Sequence, residues 1–209
     1  GTNDREAIYR ILDEGLMCHV GFIVDGVPRV IPTGYVRTGD NIYIHGSPAS
    51  AMLLAAGQGS DICVTVTLID GLVLARSAFH HSVNYRSVVI YGKAHIVDSE
   101  EEKLAALHAF TEHMVPGRWA DARKPTPSEL KGTKVLCLPM IEASAKIRTG
   151  PPIDDREDYE LPVWAGVIPL SLTPGTPIPD PDLRSGIQPP RYAAEYTRPV
   201  KPQELPGKE

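Results

Sequence analysis

Ser77-Ala78-Phe79-His80-His81-Ser82-Val83-Asn84-Tyr85-Arg86-Ser87-Val88-Val89-Ile90-Tyr91-Gly92-Lys93-Ala94 decides how this chain is read. β-Branched and aromatic residues fill its second half, and such residues suit a pleated, half-buried surface. A long strand is therefore expected over Asn84–Val97. The same stretch carries His, Arg and Lys, with no Asp or Glu between Gly71 and Val97, in a chain of net charge −5. Cationic and hydrogen-bonding groups gathered on a sheet suit an anion, a phosphate above all. The plainer reading is a solvated basic face.

The flanking sequence extends the sheet in both directions. Met17–Val24 runs into Asp25-Gly26, a strong hairpin signal, and Val27–Arg37 returns from it. Thr38-Gly39-Asp40-Asn41 makes a second turn into Asn41–His45. Asp61–Ile69 is expected to turn at Asp70-Gly71 into Leu72–Phe79, and Thr133–Arg148 alternates as one further strand. Tight turns between successive strands give an antiparallel meander, and about six strands can close on themselves to remove exposed edges. The expected fold class is mainly β with peripheral helices, built on a six-stranded antiparallel barrel.

Three helices accompany it. Asp4–Glu14 places Ala7, Ile8, Ile11 and Leu12 on one face, with Asn3 or Asp4 as cap. Ser47–Ala56 has Ser47 as cap and Pro48 at the first helical position. Ser99–His113 opens with a capping-box pattern, Ser99 followed by Glu102. From Pro151 onward the composition changes: 13 of the 20 prolines lie there. Proline cannot donate to a sheet ladder, so this segment reads as extended coil, with one added strand expected within Leu161–Leu172. The expected division is a domain over residues 1–172 and a proline-rich extension over 173–209.

Composition narrows the function. A net charge of −5 argues against a nucleic-acid surface, and no apolar run approaches the length of a membrane span. Gly1 in place of an initiator Met reads as a processed start, with no signal-type apolar region behind it. Cys18, Cys63 and Cys137 are odd in number, far apart and set in apolar runs, so buried thiols in a reducing cytoplasm are expected. His80 and His81 are neighbours on an extended chain and cannot share one metal ion, and His108 and His113 miss helical ligand spacing; no metal site is expected. No Gly-x-Ser-x-Gly elbow, phosphate loop or dinucleotide fingerprint is present, and no catalytic residue is assigned.

One segment adds to the anion argument. Ile44-His45-Gly46-Ser47-Pro48-Ala49-Ser50 leads from a strand into a helix start, with two hydroxyls and no Asp or Glu between Asn41 and Ser60. That composition serves either ordinary capping or an anion site. Trp164, in a Gly/Pro-flanked apolar run, serves either packing or the wall of a planar aromatic ligand.

With these residues in hand, the chain resembles the flavin-nucleotide-binding split-barrel proteins related to pyridoxamine 5'-phosphate oxidase, especially the nitroimidazole-resistance-type branch. The resemblance covers about Asp4 to Leu172. It is carried by Val30-Ile31-Pro32-Thr33-Gly34-Tyr35, by the Ile44–Ser50 segment, by His80–Val88 with Gly92-Lys93-Ala94, and by Ser144–Gly150 followed by Trp164-Ala165-Gly166-Val167. It implies a six-stranded split barrel, usually a homodimer with FMN in clefts at the subunit interface. It implies flavin contacts from Arg29, Val30, Ile31 and Pro32. It implies a phosphate site at His45, Gly46, Ser47 and Ser50, with Arg86 as a further cation, and a ring contact from Ser87. Lys146 and Trp164 are implied at the flavin edge and the dimer-facing wall. Where relatives place Arg or Lys after the phosphate-site serine, this chain has Ala51 and Met52. The C-terminal Arg/His segment by which true pyridoxamine phosphate oxidases hold substrate is not evident, so pyridoxine chemistry is not expected.

The expected function is an FMN-dependent oxidoreductase taking electrons from NAD(P)H to a small acceptor, with Tyr85, Arg86 or His80 steering that acceptor. The alternatives are a non-catalytic flavin- or haem-binding protein of the same fold, or a deazaflavin protein.

Overall fold

The computed structural model describes residues 1–197. The elements follow in the order α1 (Arg5–Glu14), β1 (Met17–Val24), β2 (Val27–Gly34), β3 (Val36–Thr38), β4 (Asn41–Gly46), α2 (Ala51–Gly57), β5 (Asp61–Leu74), β6 (Ser82–Lys93), β7 (His95–Ile96), α3 (Glu100–Met114), α4 (Arg118–Asp121), α5 (Pro127–Lys131), β8 (Lys134–Pro139), β9 (Glu142–Arg148), β10 (Gly166–Pro169) and α6 (Arg191–Ala194). The strands form two antiparallel sheets. The larger runs β2-β1-β5-β6-β9 with β10 also on β5, and the smaller runs β3-β4-β8-β7. Ile42, Ile44, Leu136 and Leu138 of the small sheet and Val20, Val64, Val66, Val88 and Ile90 of the large one meet in one core.

Three of the expected strands are each broken in two, and every break carries the chain from one sheet to the other. Tyr35 separates β2 from β3, Ala94 separates β6 from β7, and Met140-Ile141 separates β8 from β9. Tyr35, Ala94 and Met140 are all buried. A corner that turns a side chain into the core keeps the apolar character of a strand, so alternation alone runs through it. The Tyr35 hydroxyl donates to the Leu12 carbonyl at 2.6 Å, which fixes the first corner against α1.

The two Asp-Gly pairs part company. Asp25 and Gly26 both adopt positive φ (52° and 74°), as a two-residue hairpin turn requires. Asp70 and Gly71 do not, and β5 runs through them as one strand with a bulge, paired along its length with β6. A side chain at Gly71 would meet the Ile168 carbonyl and Val167 at 3.0 Å, so this glycine gives β10 its close approach. Of the expected return strand over Leu72–Phe79 only Leu72–Leu74 forms, as the end of β5, and Ala78–His80 is a single 3-10 turn capped by Ser77. Only Gly166–Pro169 of the expected Leu161–Leu172 strand forms.

α1 begins at Asp4, whose carboxylate accepts from the Glu6 and Ala7 amides. Its buried face, Ile8, Ile11 and Leu12, packs against β3 of the small sheet and β5, β6 and β9 of the large one. Each such side chain contributes about 1.5–3 kcal/mol of burial. α2 starts later than expected, capped by Ser50 rather than Ser47, whose hydroxyl instead accepts from the Ala49 amide at 3.3 Å. α3 starts at the expected Ser99 cap, which accepts from the Glu102 amide. The segment beyond Pro169 is exposed coil to Pro190, after which Arg118 donates to the Tyr192 hydroxyl (3.0 Å) and Tyr196 to the Met114 carbonyl (2.9 Å). Residues 198–209 of the expected extension lie outside the described residues.

Arg86 holds α1 to the large sheet. It donates to Glu14 at the end of α1 and through two nitrogens to Asp70 at the bulge (2.7 and 2.9 Å). The guanidinium and the Glu14 carboxylate are both mostly buried, where removing one partner leaves an uncompensated charge. Arg86→Met is expected to destabilise the fold by about 2–3 kcal/mol, lowering the melting temperature by roughly 5–10 °C in a thermal scan. An unchanged melting temperature would show that the cluster is not structural.

Candidate functional site

The register of the large sheet sorts the site residues by face. β6 pairs β5 and β9 so that Ser87 stands opposite Thr67 on one side and Lys146 on the other. Directly opposed residues share a face. Ser87, Lys146 and Thr67 therefore lie together on the face turned away from the core, since Val88 and Val66 beside them are buried. β1 and β2 continue that face with His19 opposite Pro32 and Gly21 opposite Val30. Val30, Pro32, Ser87 and Lys146 thus share one outward surface, while Arg29 and Ile31 project from the other side of β2. His19 also belongs to this surface. Its signal was available: Cys18 and Val20 are buried, so the residue between them faces out.

The strand-to-helix turn forms a second group. Gly46, at the end of β4, is paired with Lys134 at the start of β8. A side chain at Gly46 would lie 3.1 Å from Leu53, which puts this end of β4 beneath α2. Ser47 and Ser50 each accept a backbone N–H, from Ala49 and Leu53. A hydroxyl that accepts still has its own proton to donate, so both serines can donate to a phosphate. Lys134 has no ion-pair partner among the described residues, and nothing in the local sequence places it here. Only pairing across some ninety residues does. It supplies a cation where Ala51 and Met52 supply none.

Two expected site residues are used otherwise. His45 alternates away from Gly46 and packs edge-on against Phe110 of α3, with ring centroids 4.5 Å apart. Burial lowers its pKa, so the ring is neutral at pH 7. Arg86 lies on the core side of β6, and its hydrogen bonds to Asp70 and then Glu14 raise its pKa further. Its donors are taken up within the chain. The acid-free run from Gly71 to Val97 is in fact met by acids from elsewhere. Asp154 pairs with Arg76 (3.2 Å), Asp155 with His80 (3.4 Å) and Asp61 with Lys93 (4.0 Å). The cationic character that the run shows in sequence is neutralised in the fold. Asp155 and Asp158 also bring carboxylates beside His80, within 4.8 Å of one another, a grouping invisible in the local spacing.

Trp164 lies over Gly166, where an added side chain would meet the indole at 2.8 Å, and is 67% exposed. The outward face is open in the single chain. The cleft of about 340 Å³ on its margin, lined by Asn3, Arg5, Tyr91 and Glu142, contains none of the expected site residues. β2 is exposed on both faces, with Val30 at 66%.

Comparison with known proteins agrees with this architecture. The sequence model of the pyridoxamine 5'-phosphate oxidase family matches residues 4–147. The chain belongs to that family. It is 41% identical to the flavocytochrome Anf3 from Azotobacter vinelandii, over 94% of this chain and 91% of that one, with a TM-score of 0.88. It is 36% identical to the FAD and haem binding protein from Mycobacterium smegmatis, over 94% and 97%, with a TM-score of 0.90. A protein from Bacteroides thetaiotaomicron assigned to 5-nitroimidazole antibiotic resistance shares the fold at 23% identity, 69% and 84% coverage and a TM-score of 0.58. No curated protein matches the chain. The expected fold class, mainly β with peripheral helices in the split-barrel family, is the observed one. No helix of the described residues is long and apolar enough to cross a membrane.

If the turn at Gly46–Ser50 receives a phosphate, charge there decides affinity. Ser50→Glu is expected to abolish flavin binding and Lys134→Glu to weaken it at least tenfold in a fluorescence titration. Retained affinity in both variants would place the phosphate elsewhere.

Proposed function

We propose that this chain is a flavin- and haem-binding oxidoreductase of the split-barrel fold, active as a homodimer in the cytoplasm. One observation carries the reading: two relatives, one named a flavocytochrome and the other an FAD and haem binding protein, are 41% and 36% identical across 94% of the chain. That span reaches well past residue 147, where the family match ends. FAD is favoured over the FMN that the resemblance implies. Without Arg or Lys at Ala51 and Met52, a single phosphate loses its strongest charge-assisted contact. An adenosine half adds contact area that offsets the loss.

The residues present fit a flavin. Ser47 and Ser50 would donate to phosphate, and Lys134 would balance its charge. Val30 and Pro32 offer an apolar bed, with Ser87 and Lys146 at the polar edge. Ser87 already donates to the Lys146 carbonyl at 3.4 Å, which orients its lone pairs outward. When bound, the flavin supplies two-electron uptake from a nicotinamide donor and one-electron release to haem or another small acceptor. The chain's own part is to hold and orient it. Buried Cys18, its thiol pushed up to about 12 by burial, stays unreactive beside such a centre.

The homodimer reading rests on β2. An edge strand bare on both faces, with Val27, Val30 and Ile31 exposed, is a liability in an isolated chain. A second copy laid on this face would cover β2 and close the open side of the flavin surface.

Purified protein incubated with FAD and haemin is expected to show flavin absorbance and a Soret band, and NAD(P)H is expected to bleach the flavin. Mass spectrometry of the extracted ligand decides FAD against FMN or a deazaflavin. Protein that takes up neither chromophore would overturn the reading, and uptake without turnover on any donor would favour a binder. Separately, Val30→Glu is expected to convert the dimer to monomer in analytical ultracentrifugation and to lower flavin occupancy. A Val30→Glu protein that stays dimeric would remove β2 from the interface.

A further inference from the structure

The histidines of this chain are not equivalent as ligands, and their hydrogen bonds together with their exposure separate them. A metal-binding imidazole typically donates one ring N–H to a carbonyl or carboxylate, which fixes the tautomer and leaves the other nitrogen's lone pair outward. His113 turns Nε2 to the Gly15 carbonyl (2.7 Å), and His45 is packed under α3. His80 turns Nε2 to Asp155 (3.4 Å). His80 and His113 therefore meet the same criterion through Nδ1, but both are half-buried; of these four, His81 is the exposed one. Its Nδ1 sits 3.0 Å from the Ser77 carbonyl, an acceptor only, so Nδ1 carries the proton. Its Nε2 is then an unprotonated donor atom on an exposed residue, with no partner among the described residues.

The surface beside His81 suits a flat apolar ligand. His81 is in extended backbone (φ −59°, ψ 144°) immediately before β6, so its side chain continues the alternation on the side of Val83. Val83 is opposite Leu72, and Leu72 is opposite Ile168 of β10. These three side chains form a row across three strands, each between 37 and 44% exposed. One step along β5 stands Leu74, opposite Gly166, over which the Trp164 indole lies. The turn before His81 adds Phe79, 88% exposed. Apolar side chains clustered this openly mark a ligand or partner surface.

We infer that His81 is an axial ligand of the haem, with Leu72, Val83 and Ile168 as the apolar floor and Trp164 as a wall. The inference rests on the haem-binding reading above. His81 would hold the iron through Nε2, and no proton need move, because the Ser77 carbonyl already fixes the tautomer. Asp154 supports the arrangement from beneath. Its carboxylate accepts from the Arg76 and Ser77 amides (2.9 and 3.1 Å) and so pins the turn whose carbonyl orients the imidazole.

Haemin titration of the full-length protein tests the assignment. The His81→Ala variant is expected to lose the wild-type Soret maximum or to bind haemin at least tenfold more weakly, with flavin uptake unchanged. Exogenous imidazole added to the His81→Gly variant is expected to restore the wild-type band. The His80→Ala variant is expected to keep it. A His81→Ala protein with the wild-type band and affinity, or a His80→Ala protein that loses them, would overturn the assignment. A wild-type protein with no Soret band would instead overturn the haem reading itself and this assignment with it.

Discussion

β6 is hydrogen-bonded on both edges, to β5 on one side and β9 on the other, and this double pairing fixes which way every residue of the Ser82–Lys93 strand faces. A slip of one residue would exchange the faces entirely. Arg86 would then leave Glu14 and Asp70 for solvent, Val88 and Ile90 would leave the core, and Ser87 would enter it. The Arg86 cluster penalises that slip by burying charges that are satisfied in one register only. The same strand therefore carries a structural cation, Arg86, inward and the polar Ser87 outward, one residue apart. Fold and site are two faces of a single pairing.

That separation changes what the positive residues of the chain are for. Arg76, Arg86 and Lys93 each meet a carboxylate supplied by another part of the chain, so the sheet is not a basic surface. The proposed anion site is instead the turn after β4, where hydroxyl and amide donors, with Lys134 brought in by β8, would substitute for the Arg or Lys that the family resemblance implies after the serine. A site built from neutral donors and one half-buried lysine would hold a phosphate less tightly than an arginine clamp. In the proposed reading, contact area from the rest of the ligand, and from a second copy across β2, would add to binding.

Much of the fold was legible because local signals and long-range packing agree. Asp4 caps α1 where the apolar spacing begins, Asp25-Gly26 turns where the alternation reverses, and Ser99 caps α3. The misreadings share a cause. Tyr35, Ala94 and Met140 are corners disguised as strand, because a residue that turns inward at a corner is as apolar as one that points inward from a strand. Asp70-Gly71 has the composition of a turn, yet its glycine admits β10 and its aspartate holds Arg86. At the candidate site, the serines and Val30, Pro32, Ser87 and Lys146 were implied by the family resemblance, and the register then places the last four on one outward face. Lys134, Asp154, the carboxylates around His80 and Glu14 beside Arg86 were not, because pairing across more than seventy residues brings them in.

The most direct test of this account is a crystal structure of the flavin-loaded protein. The account predicts the isoalloxazine against the outward face of the large sheet near Val30 and Ser87, the phosphate within hydrogen-bond distance of Ser47 or Ser50 and beside Lys134, and Arg86 still held by Glu14 and Asp70. A phosphate bound to Arg86, with its two carboxylates displaced, would contradict it.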